Sequence, residues 1–209
     1  MPIFVKGRIR CLYVHIPKAG GTSLKQSLRR HGWEEQLSIR GKPVQALQHL
    51  RCSPQHYHRE LLEQLLRPEA FDLAFTVCRH PFSRMKSEYY WQRDNGLAPS
   101  PDPHAWFEAV LAAYAHDPYV YDNHLRPQQD FILQQPGFKV FKVEEDGVRQ
   151  ALARTDALAP ASPLQRLADA LRPARAHRST PSPEVEAAFA ALRPRIEAFY
   201  AQDMARFGY

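Results

Sequence analysis

The stretch that most constrains this chain runs from Ile9 to Leu28, IRCLYVHIPKAGGTSLKQSL. Residues Ile9–Ile16 read as a buried strand, a short apolar run with β-branched and aromatic members that ends at a turn. The turn is Pro17-Lys18-Ala19-Gly20-Gly21-Thr22-Ser23. Leu24 and Leu28, four apart, then predict a helix over Thr22–His31, with Gly32 as its stop. Strand, glycine turn and helix together turn backbone N–H groups and a helix N-terminus towards an anion. The glycines let the backbone approach phosphate oxygens without a Cβ in the way. Thr22 and Ser23 can cap the helix or give hydroxyls to the same phosphate, and Lys18 adds a full positive charge. An ordinary glycine-rich turn would explain neither the lysine nor the paired hydroxyls.

The motif is not a Walker A loop, which needs lysine directly before the hydroxyl residue, after its glycines. Here Lys18 precedes Gly20 and Gly21. The arrangement PKAGGTS instead resembles the 5′-phosphosulfate loop of the sulfotransferases, whose donor is 3′-phosphoadenosine 5′-phosphosulfate (PAPS).

A second strong strand is predicted over Phe71–Cys78, FDLAFTVC, followed by Arg79-His80-Pro81 and a helix to about Arg93. Pro81 suits the first turn of that helix. Strand, basic turn and helix thus occur twice. Ligands of open α/β sheets sit beyond the C-terminal ends of parallel strands, so two basic turns can converge on one nucleotide. Cys78–Tyr90, CRHPFSRMKSEYY, is similar to the sulfotransferase 3′-phosphate site R-x-P-x-x-R-x-x-S-x-Y, with Arg79, Pro81, Arg84, Ser87 and Tyr89 in register. With both motifs present, the chain resembles the PAPS-dependent sulfotransferases, of the carbohydrate (heparan/chondroitin-like) type and a soluble, bacterial-like member.

That resemblance implies an α/β, P-loop-like three-layer fold, a central mainly parallel sheet flanked by helices, as a single domain over 1–209. It implies a donor site made of Lys18, Ala19, Gly20, Gly21, Thr22, Ser23, Arg79 and Ser87, with Arg178 added from a loop over the nucleotide. Lys18 would stabilise the leaving phosphate. A histidine, or in some branches a glutamate, before the second strand serves the family as base. The candidates are His56 first, His58 second and His49 third, in the stretch around Gln55-His56-Tyr57-His58. His124-Leu125-Arg126-Pro127-Gln128 looks like a family segment near the acceptor cleft, and Tyr200 to Tyr209 like its closing Y-x-x-D-x-x-x-F-x-Y.

The remaining chain supplies the frame. Residues 1–8 are expected to lead into the first strand or pair at a sheet edge, and 33–48 to be a loop. A helix is expected over Tyr57–Leu66 and another over Ala105–Ala115. A strand fits Gly137–Val143, and a short helix Asp146–Arg154. Residues 155–183 read as a connector rich in Ala, Pro, Ser and Arg, with a helix at Leu164–Leu171. Apolar residues at helical spacing from Pro183 to Phe207 predict one long helix that Pro194 kinks.

Composition narrows the partners. The net charge of +6 on 209 residues suits an anionic ligand. The positive residues are spread out and carry no nucleic-acid signature, so the expected partners are a nucleotide donor and a hydroxyl-bearing acceptor, a glycan in the resembling branch. No stretch approaches the apolar length of a membrane helix, and the N-terminus reads as too short and too soon charged for a signal peptide. The expected location is cytoplasmic. Three cysteines, Cys11, Cys52 and Cys78, lack metal spacing, and the ten histidines are scattered, so no metal is expected. Two other readings share parts of this pattern: a P-loop small-molecule kinase or nucleotide-binding protein, and a non-enzymatic binder of anionic polymers. A strand that ends in Arg79, where a kinase would carry a Walker B aspartate, speaks against the first.

Overall fold

The computed structural model describes residues 3–37, 49–171 and 180–209. Five strands, β1 (Ile3–Lys6), β2 (Ile9–Val14), β3 (Glu34–Gln36), β4 (Leu73–Cys78) and β5 (Lys139–Lys142), form one sheet in the order β3-β1-β2-β4-β5. β1 runs antiparallel to both neighbours. β2, β4 and β5 are parallel, with Leu12 opposite Ala74 and Phe75 opposite Lys139. The parallel part of the sheet therefore ends in the two basic turns, after Val14 and after Cys78.

Side-chain alternation sorts the strands onto two faces. Phe4, Cys11, Tyr13, Phe75 and Val77 pack on one face with Leu24 and Leu28 of α1 (Gly21–Arg30) and Ala151 of α5 (Gly147–Leu158). Leu12, Val14, Ala74 and Cys78 pack on the other with Leu62 of α2 (Arg59–Leu65), Phe131 and Phe207. β4 is buried on both sides along its whole length. A third apolar cluster joins α3 (Pro81–Asp94), α4 (Pro103–His116) and α7 (Pro183–Phe199) through Tyr89, Trp106, Phe107, Phe189 and Leu192. It anchors α3, whose opposite side carries site residues.

Five expectations are corrected. Residues 1–8 do not pair at a sheet edge, because β1 lies between β2 and β3. The loop expected over 33–48 contains β3, a polar three-residue edge strand that pairs with β1 and shows no apolar alternation. Within the connector the expected helix at Leu164–Leu171 is present as α6 (Pro163–Leu171), but the start is helical too, since α5 continues to Leu158 rather than ending at Arg154. The helix expected to run unbroken from Pro183 to Phe207 is two: α7, with Pro194 inside it, ends at Phe199, and α8 (Ala201–Phe207) follows Tyr200. Tyr200 is buried and donates its hydroxyl to the Leu125 carbonyl at 2.7 Å. The break lets Asp203, fully buried, accept from the amides of Gln128 and Gln129 at 2.8 and 2.9 Å. The helix expected from Tyr57 starts only at Arg59, after a short 3-10 turn at Pro54–His56. Arg178 and Gly41-Lys42-Pro43 lie outside the described residues. No helix among the described residues is long and apolar enough to cross a membrane.

Candidate active site

A cavity of about 320 Å³ opens at the ends of β2 and β4. Lys18, Gly20, Gly21, Thr22 and Ser23 from the first turn line it, together with Arg79, Ser87 and His56. His15, Lys25, Gln55, Trp91 and His124 complete most of its wall.

The first turn is shaped for close approach. Gly20 precedes α1 with φ +81°, a left-handed conformation that glycine adopts freely. Gly21 has no room for a side chain, since a Cβ there would overlap the His15 ring and meet the Tyr13 hydroxyl. No side chain caps α1 and no acid sits in its first turn. The helix makes its first internal bond from the Leu24 amide to the Gly20 carbonyl. The amides of Gly21, Thr22 and Ser23 are thus left for an outside acceptor, and the Thr22 and Ser23 hydroxyls line the cavity instead of capping. Ala19 is buried in the core behind the turn and offers only its backbone.

Two cations stand beside these amides, Lys18 and Arg79. Lys18, itself left-handed at φ 64°, sets its ammonium 5.1 Å from the centre of the Trp91 ring. Burial lowers its pKa, with nearby Glu88 opposing and Arg79 adding to the shift. Arg79 points a guanidinium nitrogen at the Lys18 carbonyl at 3.4 Å. Its backbone is held at both ends by Gln128, which accepts from the Arg79 amide at 2.9 Å and donates to its carbonyl at 2.7 Å. Asp203 in turn fixes the Gln128 amide. The C-terminal segment therefore acts on the site at one remove, through Gln128.

Arg84 has a different place from the one its motif implies. It is 1% exposed and does not line the cavity. It donates from Nε to the Pro17 carbonyl at 3.1 Å and from Nη2 to the carbonyls of His124 and Arg126 at 2.6 and 2.8 Å. It thus braces the phosphate turn against the segment that carries His124.

The same cavity holds two histidines, each backed by a carboxylate. His56 Nδ1 is 2.8 Å from Asp122 Oδ2, and His124 Nδ1 is 2.8 Å from Glu88 Oε2. The rings meet edge to face with centroids 4.9 Å apart. A carboxylate that accepts from Nδ1 leaves the Nε2 lone pair for a substrate proton. Burial pushes the pKa of His56 down to about 4, with Asp122 pulling the other way and His124 adding to the fall. Burial alone would raise Asp122, but hydrogen bonds from His56 and Ser53 outweigh it and hold that carboxyl at about 2. At neutral pH the pair is a neutral imidazole beside a carboxylate. Glu88, almost fully buried, is likewise held below the usual range against its burial by His124, Gln92 and Lys18. Gln92 passes this line of hydrogen bonds on to the Trp106 indole at 2.8 Å.

The segment that delivers Asp122 is strained. Tyr121, Asp122 and Asn123 take φ values of 52°, 59° and 64° in succession. Each left-handed non-glycine residue costs about 1–2 kcal/mol. Offsetting bonds run from the Ser53 hydroxyl to Asp122 at 2.6 Å and from Asn123 Nδ2 to the His56 carbonyl at 3.0 Å. Strain held in this way is a common mark of functional segments.

The other candidate bases lie elsewhere. His58 is buried beside Tyr119, with Nε2 3.7 Å from Glu60, and does not line the cavity. His49 is exposed and outside the cavity wall. Sequence reasoning left Asp122 and Glu88 without roles, and did not single out His15 or Lys25. His15 carried one local signal, a titratable residue at the end of an apolar strand and next to the turn. Asp122 and Glu88 carried none, because their histidine partners are 66 and 36 residues away.

An uncapped helix start, two cations and a histidine–carboxylate pair thus meet at one cavity on the parallel edge of an α/β sheet. A family model described as the sulfotransferase family matches residues 1–209, and the chain belongs to that family, whose members transfer sulfuryl groups. No curated protein and no solved structure gave a match.

Proposed function

We propose that this protein is a P-loop-like, PAPS-dependent sulfotransferase that moves a sulfuryl group to a hydroxyl of a carbohydrate acceptor. The observation that carries the reading is the convergence of the uncapped α1 amides, Lys18 and Arg79 on one cavity that also contains His56. The donor fits the residues present. The amides of 21–23 are uncapped, and Lys18 and Arg79 supply charge from two turns. The Thr22 and Ser23 hydroxyls and the amides of 21–23 would hold the 5′-phosphate, while Arg79 and Ser87 would hold the 3′-phosphate.

The donor supplies an activated sulfuryl group, and transfer needs an in-line displacement with charge spread over equatorial oxygens, as in phosphoryl transfer. His56 Nε2 takes the proton of the acceptor hydroxyl, and Asp122 steadies the imidazolium that forms. Lys18 would neutralise the negative charge that develops on the leaving phosphate oxygen. Trp91 and Gln55 line the same cavity as His56 and suit a sugar, one with an apolar face and one with an amide.

The test is release of 3′,5′-adenosine bisphosphate from PAPS in the presence of a panel of glycans and simple alcohols. A glycan-dependent rate that Lys18→Ala and His56→Ala each abolish, with the fold intact by circular dichroism, supports the reading. Turnover that survives both substitutions, or that responds only to non-sugar alcohols, overturns the site or the acceptor class respectively.

A further inference from the structure

The histidines are scattered in sequence, yet the fold gathers two of them and a carboxylate. One nitrogen of His56, one of His124 and one oxygen of Asp122 all lie within 4.8 Å of one another. His15 packs against His56 with ring centroids 5.0 Å apart, is 7% exposed, and has a buried Nδ1 without a hydrogen-bond partner. Hydrogen bonds lie behind this group. Glu88 holds His124 at 2.8 Å, and the Ser53 hydroxyl holds Asp122 at 2.6 Å. Metal-ligating imidazoles and carboxylates are oriented in this way, by hydrogen bonds behind the ligand atoms.

Two imidazoles and a carboxylate suit zinc-class ions rather than magnesium or calcium, which prefer all-oxygen sites. Bonds of about 2.0–2.1 Å put tetrahedral ligands about 3.3 Å apart, so the three groups need to close by at most about 1.5 Å. His56 and His124 both line the cavity, so the closure is a local shift of side chains that border open space. The cavity itself leaves a fourth position for water or an incoming ligand.

We infer that His56, His124 and Asp122 form a binding site for one zinc-class divalent ion, and that filling it switches transfer off. Asp122 faces His56 Nδ1, so an ion shared by the two binds Nδ1 in place of its proton. The neutral imidazole then carries its hydrogen on Nε2, and the lone pair that would accept the acceptor proton is lost. Ion binding stands independently of the proposed activity, whereas the inhibition rests on His56 as the base.

The experiment is a calorimetric titration of the full chain, stripped with a chelator, with Zn²⁺, and with Mg²⁺ as control. A parallel titration with Co²⁺ is followed by absorption. One zinc per chain is expected, with no magnesium uptake, and at least about tenfold weaker binding in both His124→Ala and Asp122→Asn. The cobalt spectrum should lack a thiolate charge-transfer band, which separates this site from nearby Cys52. His124→Gln replaces the alanine variant if that one fails to fold. No stoichiometric zinc uptake, affinity unchanged in both variants, or a thiolate band would overturn the inference. Titration of the same proteins with 3′,5′-adenosine bisphosphate keeps the two readings apart. Lost nucleotide binding with zinc intact counts against the donor site alone. Lost zinc with nucleotide intact counts against the ion site alone.

Discussion

Arg84→Lys separates a bracing role from a phosphate-binding one. The Arg84 guanidinium spans two segments, with one bond to Pro17 and two to the carbonyls of His124 and Arg126. Hydrogen bonds from charged donors contribute about 1.5–3 kcal/mol each, and a buried carbonyl left unpaired costs about 1–3 kcal/mol. A lysine ammonium is a single point of charge and cannot reproduce the planar fork. It keeps one segment and abandons the other, so the loss is one or two bonds, or about 2–4 kcal/mol. For a chain of this length that lowers Tm by roughly 4–16 °C. Well below melting, affinity for 3′,5′-adenosine bisphosphate should stay within about threefold of the parent, since a change under 1 kcal/mol is less than tenfold. Arg79→Ala should do the reverse, weakening the nucleotide by about 1.5–3 kcal/mol, through a lost charged contact, at nearly constant Tm. The assays are differential scanning calorimetry and titration calorimetry on both variants. An Arg84→Lys protein with unchanged Tm and abolished nucleotide binding would refute the reasoning and return Arg84 to the phosphate site.

Other consequences follow from the same geometry. Gly21→Ala should leave the circular dichroism spectrum intact but abolish nucleotide binding in titration, because its Cβ displaces the His15 ring. Burial depresses His56 to about 4 and pushes His15 well below its usual range, so the unfolded chain takes up protons that the folded one refuses. Stability should therefore fall as pH drops from about 6.5 towards 4, seen as a lower denaturant midpoint at pH 5 than at pH 7.5; equal midpoints would contradict the burial of these rings. Tyr200→Phe removes the hydroxyl that reaches Leu125 and should cost about 1–3 kcal/mol in chemical denaturation. Glu88→Gln should lower turnover more than nucleotide affinity and shift the pH–rate profile, whereas a merely structural Glu88 would change stability and leave the profile in place.

What was legible in the sequence was local. The strand–turn–helix at Ile9–Leu28 and the strand that ends at Cys78 show themselves through apolar runs, glycines and proline, all within a few residues. β3 left no such mark, because Glu34-Glu35-Gln36 owes its strand to pairing with β1 rather than to apolar alternation. On α3, Arg84, Glu88 and Gln92 recur four apart, polar residues whose spacing alone gives no sign of burial. In the fold that ridge turns inwards, with all three buried and bonded to one another's neighbours. The apolar spacing predicts a last helix that continues past a kink at Pro194, yet it breaks at Tyr200, where a buried hydroxyl and Asp203 gain partners from the 125–129 segment. The histidine–carboxylate pairs were unreadable for the same reason: contacts across 36 and 66 residues are made by the topology, not by spacing.

The central claim is that two basic turns form one site for a nucleotide with a 3′-phosphate. Calorimetric titration of the purified chain with 3′,5′-adenosine bisphosphate, with ATP–Mg²⁺ in parallel, tests it most directly. The bisphosphate should bind well ahead of ATP, and Arg79→Ala should remove that preference. Equal or better binding of ATP, or a preference that survives Arg79→Ala, would contradict it.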